Sequence, residues 1–380
     1  MWSLLLATAG WIAGWLTFGA PQRLRARSID LRDPSPSPTT SDAPEPVLSV
    51  VIPARNEEHS LPLLLADLAE HAPPGTEVIV VDDDSVDRTA EVAAGFDGVR
   101  VLQAGEKPAG WVGKPWACHT GEQAARADIL CFVDADVRIR PNSLEAVLDQ
   151  HRQRGGLLSV QPFHETEQFY EQGSALFGAV ALMGTGTGDR SARPLAFGPL
   201  MVSSRADYDR VGGHAAVRSE VVEDIALARR FGDEGLPVAV LTGGDLVAFR
   251  MYPEGPRSMF EGWTKSFATG AANTSLWRLG LIVLWLAAMG TAFGLGWDAL
   301  VSGESVLAGA VIYAAYALQL RVMFVQVGRF GLVTALAFPL LLGCFFVVFF
   351  SSLWYTVVRR QVRWRGRSVP IVATGSAHGN

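Results

Sequence analysis

Apolar positions fall into three regimes along the chain. Residues 1–22 carry no charge, residues 48–251 alternate short apolar runs with helical spacing, and long uncharged stretches dominate after Ser275. In the middle regime 48–52, 77–81, 99–102 and 129–133 are short runs rich in β-branched residues and read as buried strands. Between them, 61–71 shows leucines at helical spacing, and 89–94 and 116–125 also read as helices. Pro141 is placed at the first turn of a helix running to about residue 153. Residues 169–188 are apolar and glycine-rich and read as a buried or interfacial helix, and Gly212-Gly213-His214 reads as a loop. A helix is expected over 223–234, with Leu227 and Phe231 on one face, followed by strands at 238–241 and 246–251. Alternation of apolar strands with helices predicts an α/β domain with a mostly parallel sheet. Ligands of such sheets bind beyond the carboxyl ends of the strands.

The flanking regimes predict membrane segments. Residues 1–22 are long enough to cross a bilayer, and Arg23, Arg25 and Arg27 follow at once. A secretory signal carries its positive charge before the apolar run, so this one reads as a signal anchor with its N-terminus outside. Residues 23–47 form a basic, then proline-rich linker with prolines at 34, 36, 38, 44 and 46, and the globular domain is expected over 48–275. Uncharged stretches at 279–297, 305–320 (continued by 322–328 beyond Arg321) and 331–358 make 276–358 a membrane region. Five arginines at 359, 360, 363, 365 and 367 open a basic tail, 359–380, that belongs in the cytoplasm. Three simple crossings would put that tail outside. One segment must then be re-entrant or interfacial, or the last must be a hairpin bent about Pro339.

Composition agrees with a mixed architecture: 49% of residues are hydrophobic and mean hydropathy is +0.22. The net charge of −6 leaves no basic field for nucleic acid. Three scattered cysteines, Cys118, Cys131 and Cys344, form no disulfide framework and fit a reduced, cytosol-facing domain.

Three polar clusters lie just past strand ends and so share one rim. Asp134-Ala135-Asp136 presents paired carboxylates, the ligand type that Mg²⁺ or Mn²⁺ takes while keeping sites free for phosphate oxygens. Asp82, Asp83, Asp84 and Asp87 repel one another unless donors or a cation offset them; Ser85 or Asp87 can cap the helix at Thr89, and Asp83 can accept the imide N–H of a uracil ring. Pro53-Ala54-Arg55-Asn56-Glu57 is either a plain helix-entry loop or a base and ribose contact. Gly110-Trp-Val-Gly113-Lys114 sets one lysine before a helix start, as suits a diphosphate or a solvated loop. Glu223-Asp224 opens a helix, where the macrodipole alone explains acids, or supplies a general base. Trp263 and Lys265 read as interfacial anchors or as residues closing over a sugar diphosphate, and His214 as a loop histidine or an acceptor contact.

With these residues in view the chain resembles family-2 glycosyltransferases of the GT-A fold, over nearly its whole length. Within that family it is similar to the membrane-bound 4,4'-diaponeurosporenoate glycosyltransferases of carotenoid (staphyloxanthin-type) biosynthesis. The motifs that carry the resemblance are Val50-Val-Ile-Pro-Ala-Arg-Asn-Glu57, Phe132-Val-Asp-Ala-Asp136, Leu157-Leu-Ser-Val-Gln-Pro162, Ala196-Phe-Gly-Pro199, Gly212-Gly-His214, Phe249-Arg-Met-Tyr252, Glu261-Gly-Trp-Thr-Lys265 and Trp364-Arg-Gly-Arg367. The resemblance implies a nucleotide site at Pro53, Ala54, Glu57, Asp83, Lys114 and Asp134, with Asp83 on uracil and Asp134 toward the ribose. It implies a divalent cation on Asp136, Asp224 as catalytic base, and closure over the donor by Trp263 and Lys265. Met259-Phe-Glu-Gly-Trp263 lacks the Gln and Arg of the processive Q-x-x-R-W motif, so one transfer to a lipid is expected rather than polymer extrusion. The expected enzyme is a multi-pass protein of the cell membrane, its catalytic domain facing the cytoplasm, moving a hexose from a UDP-sugar, UDP-glucose foremost, to a carotenoid carboxylate. A polyprenyl phosphate, hopanoid or glycerolipid acceptor is the alternative, and an inactive membrane scaffold the alternative of another class.

Overall fold

Apolar runs with β-branched residues build the strands of the middle regime, and their alternation with amphipathic helices sets the layers. A computed structural model describes residues 1–26, 46–188, 194–303, 306–354, 361–364 and 367–370, with backbone alone at 265–269, 361–364 and 367–370. Most of the proline-rich linker and Arg27, Arg359, Arg360 and Arg365 lie outside the described residues. The chain divides into two compact units, residues 20–165 with 185–250, and residues 1–19 with 166–184 and 251–380.

The first unit is the α/β domain. Its strands are β1 (Leu48–Ala54), β2 (Thr76–Asp82), β3 (Val99–Gln103), β4 (Ile129–Val133), β5 (Val137–Ile139), β6 (Leu157–Gln161), β7 (Phe163–His164), β8 (Leu200–Ser204), β9 (Val238–Thr242) and β10 (Val247–Phe249). A seven-stranded sheet runs in the order β3-β2-β1-β4-β8-β6-β9, and β5-β10-β7 form a small second sheet. Only β8 opposes its neighbours in the large sheet, pairing antiparallel with both β4 and β6. A mostly parallel sheet is therefore present, as the alternation predicted. Helices Leu61–His71 and Thr89–Ala94 have the expected bounds, whereas Gly113–Ala124 begins earlier and takes in Lys114. The helix expected at Pro141 begins at Ser143, because Asn142 holds a left-handed φ of 64° that ends the preceding turn. Gly213–Ala216 is a short helix rather than a loop.

Glu77 shows how the edge away from the strand exits is fastened. Its Oε2 accepts from Ser49 Oγ at 2.7 Å and the Arg126 backbone N–H at 2.9 Å, and its Oε1 accepts from Arg126 Nε at 2.9 Å. Burial opposes the charge, yet these donors hold the carboxyl below its ordinary range. The stability it contributes is therefore present above about pH 4.5 and lost as pH falls below that. Glu77→Ala strands a buried hydroxyl and amide and is expected to lower unfolding stability by about 2–4 kcal/mol. Denaturant midpoints of the two proteins measure that loss, and donor affinity is expected to stay unchanged.

The second unit is largely apolar helix. Leu276–Ser302 and Val306–Val327 are long and apolar enough to cross a membrane, while Trp2–Phe18 and Phe338–Trp354 are apolar but only 17 residues each. Trp2–Phe18 packs by small residues: a Cβ on Gly10 would lie 2.0 Å from the Ala288 Cβ, and one on Gly14 2.5 Å from the Trp285 ring. Polar atoms among these helices bond to one another, Trp285 Nε1 to Gln319 Oε1 at 2.9 Å and Gln319 Nε2 to the Trp11 carbonyl at 2.7 Å. Such bonds satisfy groups that lipid cannot. The stretch for which a hairpin bent about Pro339 is one of the two readings is divided at Ala337 into Leu332–Leu336 and Phe338–Trp354. Five residues rise about 7.5 Å, far short of a bilayer core, so the two-crossing hairpin is not formed. Arg321 sits inside Val306–Val327 and donates to the Phe330 carbonyl at 3.0 Å.

Candidate functional site

The three clusters predicted past the strand ends do meet on one rim, and backbone ties set their spacing. The β1 exit and the Asp82–Asp87 loop bond to each other, Asn56 N to Ser85 Oγ at 3.0 Å, Glu57 N to Thr89 Oγ1 at 2.8 Å and Glu58 N to Asp87 Oδ2 at 3.2 Å. Asp87 also takes the Thr89 N–H at 3.0 Å, so it acts as the helix-entry acceptor and its carboxyl stays low despite burial. Asp83 stands apart from that task. Arg55 Nη1 donates to the Asp83 carbonyl at 2.7 Å and to Oδ2 at 3.3 Å, and a Cβ on Gly113 would lie 2.3 Å from Oδ2. Only glycine lets the Lys114 loop lie this close over Asp83.

Lys114 is the hub. Its Nζ is 2.7 Å from Asp134 Oδ1 and 2.9 Å from Glu223 Oε1. Burial disfavours the ammonium, but Asp134 and Glu223 outweigh it and keep the lysine charged well above neutral pH. A second tie joins the same loops, Val112 N donating to the Arg218 carbonyl at 2.7 Å. Glu223 is buried, yet Lys114 holds its carboxyl low. Asp224 beside it goes the other way: burial and the Glu223 charge push it up to about 7, with Lys114 pulling against them. Two adjacent acids thus have opposite proton affinities, the pattern that separates an ionised partner from a proton carrier at neutral pH.

Asp136 is the site's other perturbed acid. Burial, then the charges of Asp134 and Glu57, raise it to about 8. Among the described residues no cluster of three or more His, Cys, Asp or Glu side chains forms a ready metal cage. The donor chemistry nonetheless fits a hard divalent cation with few protein ligands: oxygen donors only, in a pocket whose negative charge exceeds what Lys114 offsets. Soft or imidazole-seeking metals do not fit.

His214 takes a different place from the one expected. It is fully buried, its Nδ1 lies 2.7 Å from Tyr208 Oη, and its ring packs edge-on to Phe132 at 4.7 Å. Tyr208 Oη also accepts the His214 backbone N–H at 2.9 Å, so one hydroxyl engages both the ring and the backbone of His214. Burial lowers its pKa to about 3. A ring with no exposed surface shapes the site through its neighbours. Trp263 belongs to the second unit, buried with Nε1 donating to Ser174 Oγ at 3.0 Å and its ring stacked on Phe177 at 5.1 Å. The Lys265 side chain lies outside the described residues. Sequence reasoning named Glu223, Arg55 and Gly198 only as members of motifs, with no role of their own. For Glu223 a signal was available, its adjacency to Asp224.

Residues 49–225 match the family described as glycosyl transferase family 2. The chain is 33% identical over 375 residues to 4,4'-diaponeurosporenoate glycosyltransferase of Staphylococcus aureus strain USA300, covering 97% of this chain and 96% of that one. The protein of the same name from strain N315 gives the same identity and coverage. Among solved structures, a mannosyltransferase of Pyrobaculum calidifontis in complex with GDP-Man and Mn²⁺ superposes with a TM-score of 0.55 at 16% identity, covering 93% of this chain and 98% of that chain. That likeness concerns the fold.

Proposed function

The chain belongs to glycosyltransferase family 2, and from that membership we propose that it is a membrane enzyme moving glucose from UDP-glucose to a carotenoid carboxylate, with inversion, to give a glycosyl ester. The observation that carries this reading is the Lys114 bridge, which ties donor-side Asp134 to the helix bearing Asp224. The name of the S. aureus relatives, matched over nearly the whole chain, supports the acceptor class.

Each residue has a task that follows from its setting. Asp83, oriented by Arg55, accepts the uracil imide N–H, while Pro53, Ala54 and Glu57 frame the base and Asp134 faces the ribose. Asp136 would hold Mg²⁺ or Mn²⁺, which when bound supplies positive charge to the donor diphosphate. Lys114 carries its own charge to the departing UDP, where preorganised electrostatics contribute most. The acceptor oxygen attacks the anomeric carbon from the face opposite the diphosphate, and the C–O bond to UDP breaks. Asp224, near 7, takes the proton of a hydroxyl acceptor. A carboxylic acid acceptor, ionised above a pKa of about 4–5, brings no proton to remove.

The membrane assignment rests on the long apolar helices and their polar packing. With the N-terminus outside and both long helices crossing, the basic tail stays in the cytoplasm if Phe338–Trp354 lies in the interface or re-enters. At 17 residues, about 25 Å, that helix falls short of a core of about 30 Å, as does Trp2–Phe18 of equal length.

Lipid extracts of a host that accumulates the carotenoid acid, with and without this protein, test the function. Mass spectrometry is expected to show an alkali-labile hexosyl ester only with the protein. Conversion of a polyprenyl phosphate or glycerolipid instead would replace the acceptor.

A further inference from the structure

Two side chains converge beside Gly198. A Cβ placed there would lie 3.1 Å from Asp224 Oδ2 and 3.2 Å from Lys114 Nζ, so glycine leaves open the space that both polar atoms face. The other Asp224 oxygen, Oδ1, accepts the Ile225 backbone N–H at 2.8 Å, which turns Oδ2 toward that space. Lys114 is already shared by Asp134 and Glu223.

Charge counting then constrains what can bind. One ammonium faces Asp134 and Glu223 and holds the Glu223 carboxyl low, with Asp224 alongside. An acceptor carboxylate entering here adds negative charge with no new cation, and like charges this close cannot all persist in a buried site. From this geometry we infer that Asp224 Oδ2 and Lys114 Nζ, over Gly198, form a subsite for the acceptor carboxylate, with Asp224 donating a hydrogen bond as the neutral acid instead of acting as a base. The inference rests on the functional reading above and deepens it.

The chemistry balances without a base. One carboxylate oxygen attacks the anomeric carbon with its lone pair, the bond to the diphosphate oxygen breaks, and UDP leaves with those electrons. The proton on Asp224 stays where it is. An O–H···O⁻ hydrogen bond of this kind is short and strong, so the neutral acid binds what the ionised one repels. The groups facing Asp224 agree. Glu223 on its own helix raises its proton affinity, as does Asp134 from the end of β4, while Lys114 on Gly113–Ala124 lowers it. His214, neutral at these pH values, adds no charge.

The test compares, with purified full-length protein and saturating UDP-glucose and Mn²⁺, an apocarotenoid acid and the alcohol of the same chain. An acid needed in its protonated form for one acceptor and its ionised form for the other gives opposite slopes. With Asp224 near 7, the acid-to-alcohol rate ratio is expected to fall by about 100-fold between pH 6 and pH 8. Asp224→Asn cannot ionise, so its ratio is expected to be independent of pH. Its acid transfer should be lower than the parent's at pH 6 by about tenfold or less, yet exceed it near pH 9. Gly198→Ala should raise acceptor KM for both substrates. A ratio that stays flat in the parent protein, with both transfers rising through pH 7, would overturn the inference while leaving the enzyme's function intact. Absence of ester at every pH, with UDP-glucose still bound, would overturn the functional reading itself and the subsite with it.

Discussion

Asp136→Ala is expected to lower divalent-cation-dependent turnover of UDP-glucose by about 1,000-fold or more, because several kcal/mol of charge stabilisation on the leaving diphosphate goes with the ligand. The acid sits on the turn after β4, where burial, Asp134 and Glu57 raise it to about 8. Such a group marks a place where a cation is welcome, and that has a second signature independent of turnover. A carboxyl whose folded pKa lies above its ordinary value of 3.8 contributes stability that is full below about pH 4 and lost as pH rises through 8. Mn²⁺ should therefore raise the melting temperature of the parent protein at pH 8 and raise that of Asp136→Ala much less. Unchanged turnover in the variant would remove Asp136 from the metal site.

Lys114→Met should cost about 100- to 1,000-fold in turnover, the scale of losing one preorganised donor at a developing anion. The substitution also leaves Asp134 and Glu223 without the ammonium now 2.7 and 2.9 Å away. Folding effects can be separated from chemical ones by a second change. Lys114→Met with Glu223→Gln removes one unpaired charge and should recover much of any stability lost, with turnover remaining low. Lys114→Arg is not expected to substitute, since a planar guanidinium fork does not reproduce the single point charge that sits 2.7 and 2.9 Å from Asp134 and Glu223. Turnover restored by the double change would mean that Lys114 serves only to balance Glu223.

The sheet was legible because its parallel strands are continuous apolar runs separated by helices, and the rim followed from that alternation. β8 was not legible as a strand opposing its neighbours. Leu200–Ser204 follows the Ala196-Phe-Gly-Pro199 loop, and its three apolar residues, Leu200-Met-Val202, carry no mark of direction. Pro141 misplaced a helix start because proline suits a first turn, while the left-handed backbone at Asn142 decides where the turn ends. The break at Ala337, two residues before Pro339, shows the same limit: a proline announces a disruption and leaves its form open.

At the site, residue types were legible and pairings were not. Lys114 read as a diphosphate ligand or a loop lysine, and nothing in the sequence marked the bridge to Asp134 and Glu223, which come from separate elements. The opposite proton affinities of Glu223 and Asp224 are likewise a product of burial and of which acid Lys114 reaches. His214 read as a loop histidine or an acceptor contact, and the fold turns its ring into the core against Tyr208 and Phe132.

The most direct measurement incubates purified full-length protein with UDP-glucose, Mn²⁺ and an apocarotenoid carboxylic acid, then follows UDP release and the lipid product together. Transfer to the carboxylate predicts UDP and an alkali-labile, β-configured hexosyl ester in equal amounts, with both lost in Asp136→Ala. UDP released without any ester, or an alkali-stable glycoside on another lipid, would contradict it.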